Sequence, residues 1–155
     1  MPIIEAYLSD ADTQVFEQSV KLSSLAITPS VEDISFLKHQ FKISKWTLYT
    51  AASYREGMDA LRWNRMPVVL CASKLPDGNW KDVLSQLAPI PDRPRLIVFS
   101  RSADDELWGE VLDAGGFDVL ATPFQDTKLK FTIASAWLEW KGEQECKPLR
   151  KSSHA

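Results

Sequence analysis

The residue types that usually do chemistry are scattered along this sequence, and their spacing does not form a recognised catalytic motif. His39 lies among polar neighbours in a segment of helical period, and His154 lies near the end of the chain, so neither a Ser/His/Asp arrangement nor a metal cluster can be assembled. Cys71 lies in an apolar run and Cys146 in a polar segment, which is not a disulfide framework. A hydrolase is therefore not indicated, no metal or other cofactor is expected, and the cysteine usage fits a reducing compartment.

One short segment places reactive side chains together, directly after a continuous apolar run. Ser73 and Lys74 follow residues 67–71, and Leu75-Pro76-Asp77-Gly78 is a turn signal. Ser73 and Lys74 have the groups to hold an anion, but both residue types are common in exposed loops. Asp77 is sufficiently explained as a turn-forming residue in Pro-Asp-Gly. We therefore favour a loop over a catalytic site at this segment.

The composition indicates one globular domain of the cytoplasm. The chain has 155 residues, of which 45% are hydrophobic and 25% charged, and its formal net charge is -3. This charge gives no basic field that would attract nucleic acid. The apolar runs are far shorter than the ~20 residues of a membrane helix, and the first ten residues do not resemble a signal peptide. Nucleic acid and membrane are therefore not expected as direct partners.

Short apolar runs alternate with segments of helical period from Ser24 onward, which is typical of repeated βα units on a parallel sheet. Five strands are predicted, at residues 25–27, 46–50, 67–71, 96–99 and 117–121. The third run is continuously apolar, as expected of a central strand that is covered on both faces.

Helix start and stop signals complete each unit. Ser30 with Glu32 and Asp33 begins the first helix, and Ser102 is predicted to cap the fourth. The last helix is predicted to end at Lys141-Gly142. The body of the domain then spans residues 24–141, with an N-terminal extension at 1–23 and a flexible C-terminal tail at 142–155.

This order of elements resembles the receiver domain of response regulators. The resemblance rests on the turn Leu75-Pro76-Asp77-Gly78 after the third strand, on Ser100 at the end of the fourth, and on Pro123-Phe124 after the fifth. It covers roughly residues 25–140. It implies the CheY-like, flavodoxin-like fold, an α/β doubly wound five-stranded parallel sheet of order 2-1-3-4-5 with helices on both faces and its site at the carboxyl ends of the strands.

The resemblance also implies a phosphate-accepting site, most of whose positions here carry residues unsuited to that chemistry. The aspartate that attacks the phosphoryl group corresponds to Ala72, whose methyl group is not a nucleophile. The two acids that bind Mg²⁺ correspond to Thr28 and Pro29. The lysine that neutralises phosphoryl oxygens corresponds to Thr122, whereas Ser100 keeps the hydroxyl. We interpret the chain as a degenerate pseudo-receiver and not as an enzyme.

Receivers commonly pair through the surface formed by the fourth helix, the fifth strand and the last helix. The position of the family's aromatic switch residue, three residues before Thr122, is Val119. Trp108 lies off the Leu107/Val111 face of the fourth helix, so we expect it to be exposed and to belong to a partner surface. A signalling protein, or a second copy bound through this surface, is the expected partner.

Together these observations predict a stand-alone receiver-like module of the two-component (phosphorelay) type known from bacteria, acting through protein contacts. Two alternatives stay open. The chain is an atypical receiver that takes phosphate on Ser73 or Asp77, or it is a sensor that binds a small ligand at the altered site, although no Gly-rich loop marks a nucleotide.

Overall fold

Five parallel strands form the central sheet in the computed structural model, which describes residues 21–154 and, for side chains, residues 21–144. The described residues contain seven strands in all, β1 (Ser23–Ile27), β2 (Thr47–Ala51), β3 (Val68–Ala72), β4 (Lys74–Leu75), β5 (Gly78–Asn79), β6 (Arg95–Ser100) and β7 (Asp118–Ala121). β4 and β5 form a separate antiparallel pair, and the large sheet has the order β2-β1-β3-β6-β7. This confirms the predicted fold class and strand order. Each of the five predicted strands is present, with ends shifted by one or two residues.

Helices cover both faces of this sheet. They are α1 (Val31–Ser44), α2 (Tyr54–Trp63), α3 (Trp80–Leu87), α4 (Asp105–Ala114) and α5 (Asp126–His154). One buried cluster joins α1 and α5 to the sheet through Leu37, Phe41, Leu129 and Ile133. The other joins α3 and α4 to it through Val83, Leu87 and Val111. Since the middle strands contact both clusters, the apolar run of β3 is buried from Val68 to Cys71.

The helix start signals were predicted correctly for α1 and incorrectly for α4. Ser30 caps α1 by accepting the N–H of Asp33 at 3.2 Å. The cap of α4 is Asp104, whose carboxylate accepts the N–H of Leu107 at 2.8 Å. Ser102 lies two residues too early, in a turn where its own N–H donates to the Ser100 hydroxyl.

The predicted end of the last helix at Lys141-Gly142 is also wrong, because α5 continues to His154. A glycine ends a helix when it adopts the left-handed conformation. Among the described glycines, Gly115 has a positive φ, whereas Gly142 does not. Residues 142–154, which were predicted to form the C-terminal tail, are therefore helical.

The predicted N-terminal extension lies mostly outside the described residues, which begin at residue 21. Its last residue, Ser23, belongs to β1, and the side chain of Leu22 is buried in the core. The body of the domain thus begins slightly earlier than the predicted residue 24. Within the described part of the chain, no helix has the length and apolar character needed to cross a membrane.

Candidate functional site

The five positions singled out by the resemblance lie together at the carboxyl ends of the strands. Ala72 is the last residue of β3 and Ser100 the last of β6, while Thr28, Pro29 and Thr122 follow the neighbouring strands β1 and β7. Backbone hydrogen bonds hold these ends in register, from the N–H of Ser73 to the Phe99 carbonyl at 2.9 Å and from Thr122 to Ser100 at 3.1 Å. We call this group of five residues the carboxyl edge.

The side chains of Thr28, Pro29 and Ala72 do not supply the ligands that a magnesium ion prefers. Thr28 is 3% exposed, and its hydroxyl oxygen accepts the N–H of Ser30 at 3.1 Å. Pro29 carries no ligand atom in its side chain, and neither does Ala72. Mg²⁺ prefers carboxylate oxygens and water, and this donor set offers no carboxylate.

Acidic side chains do occur on the neighbouring helices, where Glu56 and Asp33 each have a hydrogen-bond partner within the protein. Glu56 of α2 accepts the N–H of Ala52 at 2.7 Å. Asp33 lies in the first turn of α1, as predicted for an acid at the positive end of a helix. Burial raises the pKa of the Asp33 carboxyl, against a lowering by the Ser30 hydroxyl and by the charge of Arg101. Within residues 21–144 no group of three His, Cys, Asp or Glu side chains is placed to hold a metal ion.

Ser100 and Ser73, the residue after Ala72, line an open groove of about 350 Å³. The groove is lined by hydroxyls, lysines and acids, including Ser73, Ser102, Lys74, Lys81, Asp104 and Glu110. Lys81 is paired with Glu110 at 3.5 Å, while Lys74 lies in β4 with its side chain exposed. Ser73 and Lys74, which are neighbours in the sequence, both line this groove, and no carboxylate stands at position 72.

Asp77 has a role that its turn motif did not predict. It does lie in the turn between β4 and β5, but its carboxylate also accepts the N–H groups of Tyr54 at 2.7 Å and Arg55 at 3.1 Å, at the start of α2. Desolvation raises the pKa of Asp77, and these backbone hydrogen bonds together with the Arg55 charge outweigh it, so that the net pKa is lowered. The contact joins residues 23 positions apart, and no local pattern in the sequence indicates it.

The surface formed by α4, β7 and the beginning of α5, here called the α4–β7–α5 face, contains a groove of about 360 Å³. Trp108 and Val119 line it from α4 and β7, and Lys128 lines it from α5. Trp108 is 49% exposed, which confirms the prediction that its side chain lies off the buried face of its helix. Val119 is buried, so the position of the aromatic switch is filled by a small aliphatic side chain.

The structure is similar to those of receiver domains, although no family model matches the sequence and no curated protein is similar to it by sequence. The signal receiver domain of an HD domain-containing protein from Pseudomonas fluorescens has a TM-score of 0.73 at 18% identity, covering 81% of this chain and 93% of that one. The chemotaxis response regulator CheY4 of Vibrio cholerae has a TM-score of 0.69 at 17% identity, covering 76% and 99%. The beryllofluoride-activated NtrC4 receiver domain, solved as a dimer, has a TM-score of 0.70 at 20% identity, covering 76% and 98%.

Proposed function

We propose that this chain, whose fold is that of response-regulator receivers, is a signalling module that binds a protein partner without being phosphorylated. The observation that carries the proposal is Ala72 at the end of the central strand β3. A phosphoryl group is transferred to a nucleophilic oxygen, and the alanine side chain has none. Receiver-like signalling from this chain would then depend on which proteins it contacts.

The other residues of the carboxyl edge support the same conclusion. Thr28 and Pro29 do not supply carboxylates for a metal ion, and Thr122 cannot neutralise the charge of phosphoryl oxygens as a lysine does. Ser100 keeps a hydroxyl, but that hydroxyl already accepts the N–H of Ser102 at 3.1 Å. We therefore propose no enzymatic activity for this edge and no resident cofactor. A cytoplasmic location stays a prediction.

The α4–β7–α5 face is the surface that we propose for the partner. An exposed tryptophan beside a groove is the kind of residue that dominates binding energy at protein interfaces. Trp108 has this position, with acidic neighbours on α4 and Lys128 across the groove. The NtrC4 receiver domain was solved as a dimer. A second copy of this chain is therefore one candidate partner, and a different signalling protein is the other.

The groove of about 350 Å³ lined by Ser73 and Ser100 favours a second candidate function. Ser73 and Lys74 both line it, so a phosphate taken on Ser73, or a small anion bound there, would find a hydroxyl and a cation in reach. Asp77 is a weaker candidate acceptor, because two backbone N–H groups already occupy its carboxylate.

Intact mass spectrometry after incubation with Mg²⁺ and acetyl phosphate tests the proposal. We expect no adduct on the native chain, and a phosphoryl adduct on a control receiver treated in the same way. An Ala72→Asp variant shows whether a carboxylate at this position is enough for the chain to accept a phosphoryl group. We expect at most a trace of adduct on it, since Thr28, Pro29 and Thr122 are unchanged.

A stoichiometric adduct on the native chain would contradict phosphorylation-independent signalling. Ser73→Ala and Asp77→Asn variants would then identify the acceptor. Loss of the adduct in Ser73→Ala would establish the second candidate function.

A further inference from the structure

Among residues 21–154, the outer edge of β2 has no strand partner. β2 is a terminal strand of the sheet, and no other strand within residues 21–154 pairs with its outer side. The N–H of Thr47 donates to Leu22 at 3.0 Å, and the carbonyl of Ala51 accepts from Thr28 at 2.9 Å. Because successive residues of a strand direct their N–H and C=O groups to opposite sides, those of Leu48 and Thr50 face outward.

The side chains of β2 do not protect this edge. Natural sheets block their edges with charged residues, prolines, bulges or very short strands. β2 is five residues long, with the sequence Thr-Leu-Tyr-Thr-Ala, and contains neither a charge nor a proline. Thr47, Tyr49 and Thr50 are exposed. Within the described part of the chain, this edge is thus open to another strand.

The other edge of the sheet differs in this respect. β7 has four residues and begins with Asp118, whose carboxylate accepts the N–H of Val119 at 2.7 Å. At that edge the Asp118 carboxylate therefore already accepts a backbone N–H, that of Val119. The lack of protection is specific to β2.

We propose that β2 pairs antiparallel with β2 of a second copy of this chain, about a two-fold axis at Tyr49. Leu48 and Thr50 each present one outward donor and one outward acceptor. In an antiparallel pair centred on Tyr49, Leu48 of one copy lies opposite Thr50 of the other, so all four groups of each strand form hydrogen bonds. The five-stranded sheets of the two copies then form one continuous sheet.

Charge complementarity favours a second copy over an unrelated strand. Lys45 precedes the amino end of β2 and is exposed, and Glu56, also exposed, follows its carboxyl end in the first turn of α2. Antiparallel pairing places the amino end of one strand beside the carboxyl end of the other, so the lysine of one copy and the glutamate of the other lie at the same end of the pair. The uncharged strand between them meets its own copy without repulsion.

Cysteine cross-linking tests this register directly, in a Cys146→Ser background. Facing residues in a non-hydrogen-bonded antiparallel pair have Cα atoms about 4.5 Å apart, within the range of a disulfide. We expect Tyr49→Cys to form an intermolecular disulfide on mild oxidation. The matched control is Thr47→Cys, whose two copies would lie about 14 Å apart along the strands and cannot bond. Cys71 does not interfere, because burial raises the pKa of its thiol to about 12.

Sedimentation of the full chain measures the association without a cross-link. Thr50→Pro removes an outward donor that β1 does not use, so the variant keeps the intramolecular ladder. We expect it to fold and to raise the dimer dissociation constant at least about tenfold. Asp113→Asn, an exposed side chain that lies neither in β2 nor in the groove of the α4–β7–α5 face, is expected to leave that constant unchanged.

Two results would overturn the inference. The first is a monomer at every concentration up to about 1 mM. The second is a dimer of the wrong geometry. It would form the intermolecular disulfide as readily through Thr47→Cys as through Tyr49→Cys, or it would survive Thr50→Pro and dissociate in Trp108→Ala. This last pattern would assign self-association to the α4–β7–α5 face. It would leave the proposed phosphorylation-independent function standing, because the mass measurement tests that function separately.

Discussion

The carboxylate of Asp77 accepts two backbone N–H groups at the start of α2, from Tyr54 and Arg55. The first turn of a helix leaves its N–H groups without partners inside the helix, so such a contact stabilises the helix start. The Ser53 hydroxyl accepts a third N–H of the same turn, that of Glu56, at 3.2 Å. Asp77 therefore connects the turn between β4 and β5 to α2.

Replacing Asp77 with Asn is expected to destabilise the protein in a pH-dependent way. The folded-state pKa of Asp77 is below its ordinary value of 3.8, so its charge contributes stability above that value and the contribution is lost as the pH falls through the folded pKa. Urea unfolding at neutral pH should show a lower midpoint for Asp77→Asn than for the native chain. The difference should shrink as the solution is acidified below the folded pKa.

An exposed acid of α4 provides the control for this measurement. Asp113→Asn removes a charge of the same sign from a side chain that lies in solvent. It should leave the midpoint nearly unchanged at neutral pH. An equal loss in both variants would show that net charge, and not the contact with α2, causes the effect.

Single residues also show which parts of the site could be predicted from the sequence. The exposure of Trp108 follows from its place in the helical period, and the cap at Ser30 follows from its spacing to Asp33. Both are local signals. The hydrogen bonds of Asp77 to α2 depend on how two distant segments pack, and nothing within a few residues of Asp77 encodes them.

At the scale of elements, two glycines near helix ends have opposite conformations. Gly115 has a φ of 106° and caps α4, with its N–H donating to the Leu112 and Val111 carbonyls. Gly142 lies inside α5 with open space around its Cα. An alanine is strained at the first position and favoured at the second, because glycine is a poor helix former.

A pair of alanine substitutions measures this difference. Gly115→Ala should destabilise the protein by about 1 kcal/mol, since its backbone is in the left-handed region. Gly142→Ala should stabilise it by up to about 1 kcal/mol, through helix propensity. Chemical denaturation of the two variants against the native chain reports both values. Destabilisation by Gly142→Ala would mean that α5 ends there after all.

Gly115 and Gly142 also show why the positions of strands were predicted better than the ends of helices. The continuous apolar run that became β3 reflects burial on both faces of a sheet, which the sequence expresses residue by residue. A glycine after an apolar stripe is compatible with either a cap or a helix interior. The contacts that continue α5 through Gly142 come from another part of the chain, at the start of β6.

For the molecule as a whole, Arg95 anchors the C-terminal helix to the sheet. Its side chain is 8% exposed at the start of β6, and its Nε lies 3.2 Å from an oxygen of Glu139. A second nitrogen bonds Glu143, and a third donates to the Arg93 carbonyl at 2.7 Å. α5 is thereby held to the body on both sides of Gly142.

Arg95→Met should lower the free energy of unfolding by about 2 kcal/mol, because buried charged hydrogen bonds are lost. Glu139→Gln should cost less than about 1 kcal/mol, since that carboxylate is 58% exposed. A double-mutant cycle between Arg95→Met and Glu143→Gln should show coupling, measured by urea unfolding. Additive losses would indicate that the ion pair contributes nothing in solution.

The strand order places β2 and β7 at opposite edges of the sheet. Two chains joined through β2, as proposed, would leave both α4–β7–α5 faces uncovered, one at each far end. Such an assembly is bivalent. A partner that itself presents repeated binding sites would be held by both ends at once, and the second contact would form at a high effective concentration. Weak recognition by one tryptophan-lined groove would then become tighter as the concentration of the chain, and with it the fraction of dimer, rises.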